Sequence, residues 1–141
     1  MANTYSKASI STDLAHKVIA AAEAKASEMG IPFVIAVCDE SGVLKAFSRM
    51  DGAALLSVQV AQDKAYTAVG FGMPTDAWHD FIKDDAPLLA GATDGIDRLV
   101  VFGGGFPIQV DGQRVGAIGV SGAHWSQDME VARAGLAILG G

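Results

Sequence analysis

A chain of 141 residues is long enough for a single domain spanning positions 1–141, with a core that buries roughly 68 to 70% of the unfolded surface. Half of its residues are hydrophobic and its mean hydropathy is +0.32, yet no run approaches the ~20 apolar residues of a membrane span, so the surplus apolar surface points to a homo-oligomer. A net charge of −6 with scattered Lys and Arg excludes a phosphate-tracking nucleic-acid binder, and one cysteine excludes an intrachain disulfide. The N-terminus, Met1 to Lys7, lacks the charged n-region and apolar h-region of an export signal, which makes a cytoplasmic location the expectation.

Ser11-Thr12-Asp13 offers N-cap chemistry, Leu14, Val18, Ala21, Ala22 and Met29 fall on one stripe, and Gly30 offers a C′ stop. This predicts an amphipathic helix of about 17 residues. The apolar, β-branched run Phe33 to Cys38 predicts a strand, the turn Asp39-Glu40-Ser41-Gly42 follows, and Val43 to about Ser48 completes an antiparallel hairpin. Leu55 to Val69 predicts a helix with Leu55, Leu56, Val58, Val60, Ala61, Ala65 and Ala68 inward, closed by Gly70 and Gly72. A second short helix is expected after Pro74, over 76–83, and the Asp- and Gly-rich stretch 84–97 reads as a loop. Leu99 to Phe102 reads as a strand, and Ile108 to Val110 and Val115 to Val120 as a hairpin around Asp111-Gly112. A final helix runs from about Ser126 to Leu139.

Tight hairpins make a mainly antiparallel sheet. The expected architecture is therefore α+β: a three-layer α-β-α sandwich around about five strands. Gly103-Gly104-Gly105 follows the Leu99–Phe102 run as a dinucleotide fingerprint would, but Pro107 and a β-rich segment stand where a helix should open, so the Rossmann reading fails. The glycines leave a backbone open to a ligand or to a neighbouring chain segment, and a helix start follows at Ser126-Gln127-Asp128. Walker, His-Glu-x-x-His, paired-cysteine and Gly-x-Ser-x-Gly motifs are missing, so the chain carries no recognisable hydrolase, kinase or zinc motif.

The stretch Gly103-Gly104-Gly105-Phe106-Pro107-Ile108, followed by Asp111-Gly112, Val115-Gly116-Ala117-Ile118-Gly119-Val120-Ser121-Gly122 and then Gln127-Asp128, resembles the signature of the GlcG/HbpS-like haem-degrading domain family. That family includes the C-terminal domain of the corrinoid adenosyltransferase PduO. Ala36-Val37-Cys38-Asp39 through Gly42, Arg49-Met50-Asp51-Gly52-Ala53 and Lys64-Ala65-Tyr66-Thr67-Ala68 are similar to further family motifs in the same order. The resemblance implies a profilin-like version of the sandwich, assembly from dimer to octamer, and haem or a related tetrapyrrole as the candidate cofactor. It also implies that His16, in the first helix, is a candidate iron ligand, beside the plainer reading of a surface or subunit contact.

His124 precedes Trp125 at the mouth of the last helix, four residues before Asp128, a spacing that lets the carboxylate orient the imidazole if the helix begins early. The plainer reading makes Asp128 a helix N-terminal charge and His124 a loop residue. His79, with Asp76, Asp80 and Lys83 nearby, is a second acid–base candidate or one member of a solvated face. Arg49 and Lys64 can neutralise a carboxylate or enolate in an apolar pocket, or simply form an Arg49–Asp51 turn pair and a snorkelling lysine. Cys38 reads as a small core residue.

Two functions follow. One is a small-molecule-binding oligomer holding a tetrapyrrole against an apolar groove, with His16, Arg49, Lys64, Gly104, Gly105, Phe106 and Trp125 as binding candidates. The other is a cofactor-independent isomerase, lyase or hydrolase acting on a small carboxylate or oxygenated ring. In it, His124 or His79 moves a proton, Asp128 orients the base, and glycine amides with Arg49 or Lys64 hold an oxyanion.

Overall fold

The computed structural model describes residues 2–140. Helix α1 (Thr12–Met29) opens where Ser11 Oγ accepts from the Leu14 amide at 3.1 Å, and it closes on Gly30 in the left-handed conformation. Strands β1 (Val34–Asp39) and β2 (Leu44–Arg49) form the first hairpin. Helices α2 (Leu55–Phe71), α3 (Ala77–Ile82) and α4 (Ala86–Gly95) follow. Strands β3 (Gly105–Val110) and β4 (Gln113–Ser121) form the second hairpin. Its turn residues Asp111 and Gly112 both have positive φ, as the tight Asp-Gly turn requires. Helix α5 (Trp125–Leu136) and a closing 3-10 turn complete the described chain.

The sheet runs β2-β1-β4-β3 with every pair antiparallel. Alternation along β1 sends Ile35 and Val37 to one face and Val34, Ala36 and Cys38 to the other, and helices cover both, which explains an unbroken apolar run without polar alternation. On the first face, α1 and α5 pack Val18, Ala22, Val131 and Ala132 against Ile35, Ile118 and Val120. On the second, α2 lies close to the sheet because the facing side chains are small: Ala61, Ala65 and Ala68 meet Ala36 and Ala117. Gly119 is the extreme case. A Cβ there would strike the backbone of Ala61 and Ala65.

Several expectations change. The Leu99–Phe102 run forms no strand, leaving four strands among the described residues rather than five. The hydroxyl of Thr67 on α2 takes over its backbone groups, accepting from the Val100 amide at 3.0 Å and donating to the Arg98 carbonyl at 2.9 Å. The stretch 84–97 contains helix α4, because Asp85 caps it at the Leu88 amide and Pro87 suits its first turn. Leu55 and Leu56 stand in solvent, since the inward stripe of α2 runs through Ser57, Ala61, Lys64, Ala65 and Ala68. The stripe of α1 is likewise centred on Ala15, Val18, Ala22 and Ala26, with Leu14, Ala21 and Met29 only half-buried.

Candidate functional site

A cleft of about 510 Å³ opens between α3, the 101–103 segment and the first turn of α5. Asp76, His79 and Asp80 supply its polar side, while Val101, Phe102, Gly103 and Trp125 supply the apolar wall. Phe102 and Trp125 are 45% and 44% exposed, so about half of each large ring's surface is available to a ligand.

Beneath this wall sits a buried ion pair. Lys64, fully buried on α2, donates to Asp128 Oδ2 at 2.8 Å and to the Val120 carbonyl at 2.9 Å, and its ammonium lies 5.1 Å from the Phe102 ring centroid. The other carboxylate oxygen of Asp128 accepts from the Ala123 amide at 3.0 Å. Burial pushes the Lys64 ammonium below its ordinary pKa and the Asp128 carboxyl above its own, and each charge opposes the shift of the other. The side chain does not snorkel; it ties α2 to β4 and α5.

The three glycines serve this pair and its neighbours. A Cβ on Gly104, whose φ is +126°, would lie 2.7 Å from the Lys64 ammonium, so only glycine lets the loop close over the lysine. A Cβ on Gly103 would press into Met129 and the Trp125 indole. The Gly105 amide donates to the hydroxyl of buried Thr75 at 2.9 Å, and the Thr75 amide returns a bond to the Gly105 carbonyl at 3.0 Å. The loop approaches other segments of its own chain, and the Gly105 amide is already engaged rather than free for an oxyanion.

His124 and Asp128 do not meet. His124 is the N-cap of α5, with extended backbone (ψ 146°), so its ring folds across the helix start instead of stacking above a residue four positions on. Its Nδ1 accepts from the Ser126 amide at 3.2 Å and lies 2.8 Å from Ser126 Oγ, and its ring lies 4.9 Å from that of Trp125. Asp128 turns inward to Lys64. Arg49 bonds the Ala53 carbonyl at 3.1 Å rather than Asp51, Phe106 packs against the α1/α5 core near Arg133, and His16 is exposed on α1. None of these three lines the cleft. Of the residues singled out from sequence, the cleft brings together His79 with its neighbours Asp76 and Asp80, Gly103 and Trp125, with Lys64 below the wall.

A family model described as haem degrading protein HbpS-like matches residues 10–137. The chain belongs to this HbpS-like family. A relative from Citrobacter freundii, the 15.0 kDa protein of the dhaT-dhaS intergenic region, is 36% identical over 129 residues, covering 92% of this chain and 91% of the relative. The structure of a PduOC–haem complex matches with a TM-score of 0.85 at 31% identity, covering 92% of this chain and 94% of that one. A double mutant of HbpS from Streptomyces reticuli matches with a TM-score of 0.88 at 32% identity, covering 100% and 94%. In this HbpS-like chain, the cleft residues missed from sequence are Val101 and Phe102. An aromatic residue directly before a glycine triplet was the available signal, hidden by its β-forming neighbours.

No helix among the described residues is long and apolar enough to cross a membrane, and no group of His, Cys, Asp or Glu among them is arranged to hold a metal ion.

Proposed function

We propose that this HbpS-like protein is a small-molecule-binding module that holds haem or a related tetrapyrrole as part of a homo-oligomer. The observation that carries the reading is the cleft: an apolar wall of Val101, Phe102 and Trp125 faces the imidazole of His79 on its rim. A planar macrocycle suits such a wall, and an imidazole at its edge suits an iron ligand. His79, fixed on α3, would hold the group, and Phe102 and Trp125 would cover one face of it; bound haem would supply an iron centre. The cleft lining includes no Lys or Arg to pair with the propionates. The match to a PduOC–haem complex adds support from a relative. The alternative, proton-transfer enzyme reading gains nothing from His124 and Asp128, which face different partners.

Haem titration followed by absorbance tests the reading. Saturable binding with a shifted Soret band, lost in His79→Ala and kept in His16→Ala and His124→Ala, is the expected result, with sedimentation reporting a dimer or larger assembly. Loss in His16→Ala alone would move the iron to the outer face of α1, and no saturable binding by the native protein would refute the haem assignment.

A further inference from the structure

The carboxylates Asp76 and Asp80 dominate the polar side of the cleft. Asp76, His79 and Asp80 line it, and no Lys or Arg does. Asp80 already has a cation: Lys83 lies 2.9 Å away and holds its carboxyl below the usual range, with a smaller contribution from His79. Asp76 is different. Its Oδ1 is buried without a hydrogen-bond partner, and although it precedes α3 it makes no capping bond, because its own backbone is already helical at φ −69° and ψ −23°. That oxygen is sealed from the cleft, and the other, which has no partner either, is the one a ligand can reach, so the carboxylate's charge stays uncompensated at the lining. Across the cleft stand the faces of Trp125 and Phe102, which favour planar rings and attract positive charge. Lys64 does not reverse the sign. Its charge is matched by Asp128 and sealed beneath Gly104.

We propose that the α3 side of the cleft selects a ring-bearing ligand that presents an N–H or O–H donor, neutral or cationic, to Asp76, and rejects one that presents a carboxylate. The inference rests on the cleft as the binding site, but not on haem as its occupant. It reverses the small-carboxylate substrate considered from sequence and keeps the ring. The ligand stacks on Trp125 and Phe102 while its donor reaches the Asp76 carboxylate. An anionic group in the same place meets the Asp76 carboxylate, which no Lys or Arg pairs; the nearby Lys83 is already engaged by Asp80.

Three probes of matched size test this: benzylamine, phenol and benzoate, titrated into the native protein at low salt and neutral pH and followed by amide and indole NMR shifts. Benzylamine and phenol should bind saturably, with shifts at Trp125, His79 and Asp76, and benzoate at least tenfold more weakly. Asp76→Asn, which keeps the side-chain shape, should reduce the benzylamine-to-benzoate ratio several-fold, and Trp125→Leu, at an exposed position, should weaken whichever probes bind. Equal binding of benzoate and benzylamine, an unchanged ratio in Asp76→Asn, or no binding of any probe overturns the proposal. A haem titration on the same preparation separates the two readings. A Soret shift without probe binding removes this inference alone, and ordered probe binding without a Soret shift removes haem alone.

Discussion

Lys64 and Asp128 show how one buried pair can organise several elements. The two residues lie 64 positions apart in sequence, and each would be an orphan charge without the other. Breaking a buried pair from one side costs more than the pair itself contributes, typically about 3 to 5 kcal/mol, because the surviving charge stays in a poorly hydrated interior. Lys64→Met and Asp128→Leu should therefore each destabilise the fold by about that amount in urea denaturation. The double variant should fall well short of their sum, since the second change removes the orphan left by the first. Additive losses would mean that the two side chains act independently. The Phe102 ring above the ammonium ties the same pair to the cleft wall, so the singles should also disturb ligand binding.

Helix α5 depends on its first turn. His124 supplies the capping acceptor through Nδ1, and its own amide donates to Gln127 Oε1 at 3.4 Å. Histidine is an unusual residue for this task, and the acceptor nitrogen must be unprotonated to perform it. Replacement by alanine should cost about 1 kcal/mol, and replacement by asparagine, among the preferred N-caps, should restore most of it. If both variants are equally destabilised in thermal or urea melts, the ring's contact with Trp125 rather than its cap is what matters. The same first turn carries Trp125 into the cleft, so the cap holds part of the binding wall in place. On α2, the small residues Ala61, Ala65 and Ala68 let the helix settle close to the sheet, and that close approach carries Lys64 into the interior.

For the molecule as a whole, Cys38 reports the integrity of the sandwich. It lies on β1, an inner strand of the sheet, beneath α2, and burial raises its thiol to about 12 from the ordinary 9.0. A group whose folded pKa is raised contributes stability that is intact below its unfolded pKa and is lost as pH rises through the folded one. Here that window runs from 9.0 to about 12. By linkage the loss reaches about 1 kcal/mol at pH 10. Denaturation curves of the native protein and Cys38→Ala should therefore converge as pH rises above 9.0. Parallel curves across that range would show that the thiol ionises as readily folded as unfolded.

Much of the layout was written in local chemistry. Ser11 and Gly30 bracket the first helix, Gly72 ends the second, and Asp111-Gly112 turns the second hairpin, because caps and turns are decided by a few adjacent backbone groups. The ordered motifs from Ala36 to Asp128 carried the family resemblance for the same reason. What only the tertiary structure decided was which groups meet across the chain. Thr67 claims the backbone that would have made Leu99–Phe102 a strand, the glycine triplet closes over Lys64, and Asp128 turns to that lysine and away from His124. Periodicity ranks side chains by hydrophobicity, so it placed Leu55 and Leu56 inside and gave no sign that a lysine would lie at the centre of α2's buried face. That outcome depends on a carboxylate from α5 and a carbonyl from β4, brought within hydrogen-bonding distance by the packing of three elements.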